Sequence, residues 1–179
     1  MRIVVGITGA SGVRLGVRLV QALKGHEVHA IISDQAWKLM DIELGKRPAF
    51  KGVTLLGEKD FEAPVSSGSF LFDGMAVAPC SMKTLAGIAN GYADTLIIRA
   101  ADNALRIGKR LVLVPRETPL SLSALENMAK LRSAGAIILP PILAFYNQPR
   151  TVDDLVDYVV GKVLDSLGID NHLYRRWGQ

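Results

Sequence analysis

Short, almost unbroken apolar runs alternate along this chain with longer segments whose apolar residues recur every three or four positions. Arg2 to Ile7 (RIVVGI) predicts a buried strand, and Val13 to Leu23 a helix with Val13, Leu15, Val17, Leu19, Val20 and Leu23 spread over a broad apolar face. Glu27 to Ser33 (EVHAIIS) predicts a second strand and Gln35 to Leu44 a second helix. From Gly45 to Gly74 the pattern loosens, and Pro48, Pro64 and the run Ser66-Ser67-Gly68-Ser69 predict loop and short strand. Order returns with Met75 to Ala78, a strand ended by Pro79. Helices follow over Thr84 to Asn90 and Thr95 to Ile107, then a strand over Arg110 to Val114 and a helix over Leu120 to Arg132. Ala136 to Leu139 is a strand ended by Pro140-Pro141, and Val152 to Leu167 a last helix with Leu155, Val156, Val159, Val160, Val163 and Leu164 on one stripe.

Continuous apolar strands separated by amphipathic helices predict a parallel sheet covered on both faces, with right-handed crossovers: a doubly wound α/β fold. With 179 residues and no internal repeat or low-complexity linker, one domain over 1–179 is expected. The longest apolar stretches, such as Ala134 to Leu139, are too short to cross a bilayer, and glycines stand where a signal peptide would carry its apolar segment. A cytoplasmic protein without a membrane span is therefore expected. Cys80 is the single cysteine, which excludes an internal disulfide, and with His26, His29 and His172 it makes no metal-ligand spacing, so no metal is expected. The formal charge is +4, and the basic residues are dispersed except at Arg175-Arg176. This favours a small anionic ligand over nucleic acid.

In such a fold ligands sit beyond the carboxyl ends of the strands. The first strand runs into GITGASG, Gly6 to Gly12, whose G-x-x-G-x-x-G spacing is neither the dinucleotide fingerprint nor the P-loop. Backbone amides here and the N-terminal end of the next helix can meet an oxyanion, with Ser11 adding a hydroxyl; the alternative is a tight turn that binds nothing. Ser33-Asp34 follow the second strand, and Asp34 reads either as the ribose acid of a dinucleotide site or as the cap of the next helix. Pro79-Cys80-Ser81-Met82-Lys83-Thr84 gather two hydroxyls and a lysine at a helix start, a second place for an anion, or else a simple cap at Ser81. Cys80 reads as a small buried hydrophobe. Pro115-Arg116-Glu117-Thr118-Pro119 hold a guanidinium that can grip a phosphate and a carboxylate that can move a proton, or an ordinary ion pair on a turn. After the last strand Phe145-Tyr146-Asn147 supply a phenol, with aromatic packing as the alternative.

Taken together, GITGASG, PCSMKTLAGIANGYAD, RAAD, LVLVPRETPLS, ENM, GAIILPP and AFYNQP resemble the UbiX-type flavin prenyltransferases, long described as phenylacrylic-acid or aromatic-acid decarboxylases. The similarity runs in order over nearly the whole chain, to Arg176-Trp177. It implies a Rossmann-like, flavodoxin-like single domain that binds FMN and assembles as a homo-oligomer, commonly a dodecamer. The implied reaction transfers a dimethylallyl group from dimethylallyl monophosphate to N5 and C6 of reduced FMN, without a metal, and the prenylated FMN passes to a UbiD-type decarboxylase. By position the resemblance implies FMN contacts at Gly9, Ala10, Ser11, Ser33, Ser81, Met82, Lys83, Thr84 and Arg116. It implies catalytic roles for Ser11, Glu117 and Glu43, and contacts to the dimethylallyl phosphate from Tyr146, Lys162, Arg106 and Arg116. The tail, about 168–179 and including Trp177, is expected to pack near the site or on a neighbouring subunit. Arg106 and Lys162 stand where many members carry lysine and arginine, swaps that keep the charge and change the donor geometry. The rival readings are the related FMN-dependent peptidyl-cysteine decarboxylases, whose usual P-x-M-N-x-x-M-W segment is missing here, and a non-catalytic flavin-binding module.

Overall fold

The computed structural model describes residues 1–178. Six strands form one sheet: β1 (Arg2–Ile7), β2 (Glu27–Ile32), β3 (Thr54–Gly57), β4 (Gly74–Cys80), β5 (Arg110–Pro115) and β6 (Ile137–Ile138). They lie in the order β3-β2-β1-β4-β5-β6, and every neighbouring pair is parallel. The helices are α1 (Val13–Ala22), α2 (Asp34–Leu44), α3 (Met82–Ala89), α4 (Leu96–Arg106), α5 (Leu122–Ser133) and α6 (Val152–Leu167), with one 3-10 turn at Pro64–Ser66.

Side chains alternate across each strand, so successive residues feed two cores. Ile3, Val5, Ile7, Val112 and Val114 pack under α1, α2 and α6, whereas Val4, Leu111 and Leu113 pack under α3, α4 and α5. The stripe expected on α6 is largely buried at Val159, Val160, Val163 and Leu164, all within 3% exposure, against half-buried Leu155 and Val156. The doubly wound parallel sheet expected from the pattern is thus the observed fold.

Three local expectations change. Pro79 does not end β4, which continues to Cys80 through a cis Ala78-Pro79 bond, at an irregularity in the pairing with β5 between Val77 and Cys80. A proline without an N–H fits a strand at such a break, where no ladder bond is lost. Asp34 does not cap α2; Ser33 does, its hydroxyl accepting the N–H of Ala36 at 3.1 Å, and Asp34 is the first helical residue. The third helix begins at Met82 because Ser81 caps it, accepting the N–H of Thr84 at 3.3 Å.

Strand order reverses between β1 and β4: the chain winds outward through β2 and β3 on one side and through β5 and β6 on the other. Such a reversal opens a crevice at the carboxyl ends of the two central strands.

Candidate active site

Thr8 bridges that crevice. It is 2% exposed, its Oγ1 donates to the Pro79 carbonyl at 2.8 Å, and the same oxygen accepts the N–H of Ser81 at 2.8 Å. One side chain thereby fixes the loop after β1 against the loop after β4. Beside it lies a cavity of about 250 Å³ lined by Thr8, Gly9, Ser33, Gln35, Glu58, Ser81, Lys83, Thr84, Thr95, Ile97 and Ile98.

Three helices, α2, α3 and α4, begin at this cavity, each capped by a hydroxyl residue, Ser33, Ser81 and Thr95. Their N-terminal ends turn partial positive charge and free amides toward the same space, a setting for an anion and for polar ring edges. Lys83 at the rim pairs with Asp94 at 3.1 Å. Gly9, Ser33, Ser81, Lys83 and Thr84 are thus brought together as the sequence suggests, while Met82 turns toward the second core.

The N-terminus of α1 serves differently from the expectation. Gly12, at φ 92°, turns the chain so that its own N–H and that of Val13 point outward together. Both are taken by the carboxylate of Glu43, at 3.0 Å to Gly12 and 3.2 Å to Val13. The oxyanion met by the glycine loop at this helix end is the protein's own. Ala10 is buried, and Ser11 is exposed beside Glu43 in a separate, largely apolar pocket of about 380 Å³ that also involves Leu15, Leu143 and Val156.

Arg116 and Glu117 follow β5 at the same end of the sheet, where Arg116 N–H bonds the Cys80 carbonyl at 3.2 Å. Arg116 Nη1 lies 3.9 Å from Glu117 Oε1, and its buried Nε has no partner. An unpartnered guanidinium donor at a strand end suits an incoming acceptor. Cys80, fully buried beneath it, has its thiol pushed up to about 12 by burial, which leaves it inert as a nucleophile.

Tyr146 and Trp177 meet elsewhere, on the outer side of α6, and Lys162 stands on that helix against Tyr174. Tyr146 packs edge-to-face on Trp177 at 5.2 Å and on Tyr158 at 6.2 Å, and Lys162 Nζ lies 5.7 Å from the Tyr174 ring centroid. Tyr174 and Trp177 of the tail lie against rings on this face; Gln179 lies outside the described residues. Arg106 joins neither group. It ends α4, about 15 Å along the helix from the cavity, and holds Asp102 at 3.2 Å and the side-chain oxygen of Asn103.

The Flavoprotein family profile matches residues 1–164. The flavin prenyltransferase UbiX of Methanocaldococcus jannaschii is 50% identical over 182 residues, covering 99% of each chain. The chain belongs to the UbiX flavin prenyltransferase family. A dodecameric FMN-dependent UbiX-like decarboxylase from Escherichia coli O157:H7 superposes with a TM-score of 0.93 at 48% identity over all of both chains. AnUbiX (PadA1), solved in complex with FMN and dimethylallyl pyrophosphate, superposes with a TM-score of 0.96 at 44% identity over 99% of this chain and 97% of its own.

For a flavin prenyltransferase, then, one chain separates its expected site residues into distinct places: the cavity, the Ser11 and Glu43 pocket, the Arg116-Glu117 turn, the outer face of α6, and the far end of α4. Four polar residues that line the cavity, Thr8, Gln35, Glu58 and Thr95, are not among the candidates drawn from the sequence. Thr8 and Thr95 carried a usable signal, a hydroxyl at a strand end and a hydroxyl before an apolar helical run. Glu58 carried none: it follows a short exposed strand in the irregular region, and its carboxylate reaches the N–H of Asp34 at 3.1 Å only in the folded chain.

Proposed function

We infer that this chain transfers a dimethylallyl group from dimethylallyl monophosphate to N5 and C6 of reduced FMN, making prenylated FMN for a UbiD-type decarboxylase. The observation that carries the reading is the cavity at the β1–β4 reversal, with its five hydroxyl side chains, three helix N-termini and the unpartnered Arg116 Nε at the neighbouring strand end. That donor set fits FMN: hydroxyls and amides for a phosphate and a polyol chain, a guanidinium for a ring edge or carbonyl. Gly9, Ala10, Ser11, Ser33, Ser81, Met82, Lys83, Thr84 and Arg116 are the residues proposed to hold or border it. When bound, reduced FMN supplies the electron-rich N5 and C6 that accept the prenyl group.

Breaking an allylic C–O bond leaves positive charge on the five-carbon fragment and negative charge on the departing phosphate. Cations and a phenol donor on that phosphate lower the barrier, and Arg116, Lys162, Tyr146 and Arg106 are proposed for this. Arg106 can do so only if a second copy of the chain brings it to the strand ends, because its own chain holds it at the other end of α4. Glu117 is proposed to accept a proton through the released phosphate. Ser11 borders the reacting edge, and Glu43 sets the loop that carries Ser11 by binding the amides of Gly12 and Val13.

Assembly as a homo-oligomer, a dodecamer like the E. coli relative, belongs to the same reading. Exposed Leu122, Ile142, Phe145 and Trp177, each at least 72% accessible in the single chain, support it. No helix among the described residues is long and apolar enough to cross a membrane. A cytoplasmic location follows from the proposed substrates, both charged phosphate esters that a bilayer excludes.

Anaerobic incubation with reduced FMN and dimethylallyl monophosphate, followed by mass spectrometry of the flavin, tests the function. A gain of one five-carbon unit is expected, with less product from the diphosphate. An unchanged flavin mass with both donors would defeat the reading.

A further inference from the structure

Asp154, Tyr158, Lys162 and Asp165 lie three or four residues apart on the side of α6 turned from the sheet, and the segment 169–177 returns along it. Its bonds converge on Asp165. That carboxylate accepts from Tyr174 Oη at 2.5 Å, from Arg176 at 2.8 and 3.1 Å, and from the Asn171 amide at 2.9 Å. The Tyr174 ring fits there because residue 161 is glycine: a Cβ at Gly161 would stand 2.4 Å from Tyr174 Cδ1. Glycine inside a helix is disfavoured by the helix itself, so its presence here goes with the ring it admits.

Two of the groups assigned above to the prenyl phosphate adjoin this ring, one directly and one through a second ring. Lys162 Nζ lies 5.7 Å from its centroid, and among the described residues no carboxylate stands within ion-pair distance of Lys162. Tyr146 is tied to it through Tyr158, which packs edge-to-face on Tyr174 at 5.2 Å and on Tyr146 at 6.2 Å. An aromatic face steadies an ammonium without neutralising it, whereas a carboxylate partner would cancel the charge a phosphate needs.

We propose that Tyr174, seated by Gly161 and held by Asp165, is a positioning residue of the prenyl phosphate site, fixing Lys162 and Tyr146 in the arrangement that receives the phosphate. The proposal rests on the assignment of Lys162 and Tyr146 to that phosphate. It gives Asp165, Arg176 and Asn171 a task beyond anchoring the tail, since Asp165 and Arg176 fix the ring by its hydroxyl and Asn171 bonds Asp165.

The test compares Lys162→Ala, Tyr174→Leu, Tyr174→Phe and Gly161→Ala in the full chain, by steady-state kinetics and by calorimetric titration of dimethylallyl phosphate into the flavin-free protein. Tyr174→Leu is expected to raise KM for dimethylallyl phosphate about tenfold and weaken its binding to the flavin-free protein by a similar factor. Its kcat stays within about twofold and its FMN affinity is unchanged, the pattern of lost ground-state binding. Tyr174→Phe keeps the ring but loses its bond to Asp165, so KM rises by about threefold, less than in Tyr174→Leu. Gly161→Ala displaces the ring by a methyl group and raises KM, which covers the case of a Tyr174→Leu protein that does not fold. If Lys162→Ala raises KM while Tyr174→Leu and Gly161→Ala leave KM and binding at the wild-type values, the positioning role is overturned and the phosphate assignment stands. If Lys162→Ala leaves KM unchanged, that assignment falls and the proposal with it.

Discussion

Glu117 stands on the turn after β5, half exposed, with Oε1 accepting the N–H of Thr118 at 3.0 Å and lying 3.9 Å from an Arg116 nitrogen. Its carboxylate is therefore held loosely and remains open to a second partner, the condition for a group that moves a proton. Glu117→Gln keeps the size and the Thr118 bond and removes the basic oxygen. FMN affinity is expected to hold while prenylation falls by a factor of roughly 10²–10⁴, read by flavin titration and by mass spectrometry of single-turnover product. Full activity in the variant would remove Glu117 from the chemistry. The neighbouring Cys80 makes the opposite case. Its thiol resists ionisation, so a thiol reagent at pH 8 is expected to label none of the native protein and one cysteine per chain after unfolding. Because the folded value lies above the ordinary 9.0, Cys80 contributes stability that is complete below that pH and is lost as pH rises toward about 12.

At the scale of elements, the strands and helices were legible because both faces of each central strand are buried and each helix offers one apolar stripe, so the periodicity of the residues states the packing directly. The caps at Ser81 and Ser33 belong to the same local grammar, although Asp34 next to Ser33 offered a competing cap that only geometry resolves. What could not be read was every contact made between distant loops. Glu43 sits near the end of α2 and closes the start of α1 across 31 residues, and no spacing announces it. Thr8 is the sharper instance. It lies inside the glycine motif, yet its task is set by the loop after β4, 71 and 73 residues away at Pro79 and Ser81. Thr8→Val keeps the shape, leaves the half-buried Ser81 N–H without its acceptor and leaves the buried Pro79 carbonyl without the hydroxyl donor. A loss of about 1–3 kcal/mol is expected in denaturant unfolding, with weaker FMN binding because Ser81 caps α3 at the cavity. Unchanged stability and flavin affinity would show that the two loops need no such bridge.

The whole molecule poses the question that a single chain leaves open. Its strand-end cavity and its Arg116-Glu117 turn lie at one end of the sheet, while Arg106 lies at the other end of α4, held by Asp102 and Asn103. A helix is rigid, so Arg106 cannot be carried about 15 Å to its own cavity by any side-chain rotation. If Arg106 serves the phosphate, it serves the site of a neighbouring copy, as a closed homo-oligomer permits. The resemblance that suggested Arg106 was blind to this, because a linear motif does not say from which subunit each residue comes. Two variants decide the matter. Arg106→Ala and Glu117→Gln are each expected to be nearly inactive as pure assemblies. Co-expressed with different tags and purified as mixed assemblies, they are expected to regain about a quarter of wild-type turnover per site, because a random neighbour restores an intact pair at about one site in four. A mixture no more active than its parents would mean that Arg106 and Glu117 must come from the same chain, and the separation of the two across α4 would then exclude Arg106 from the reaction.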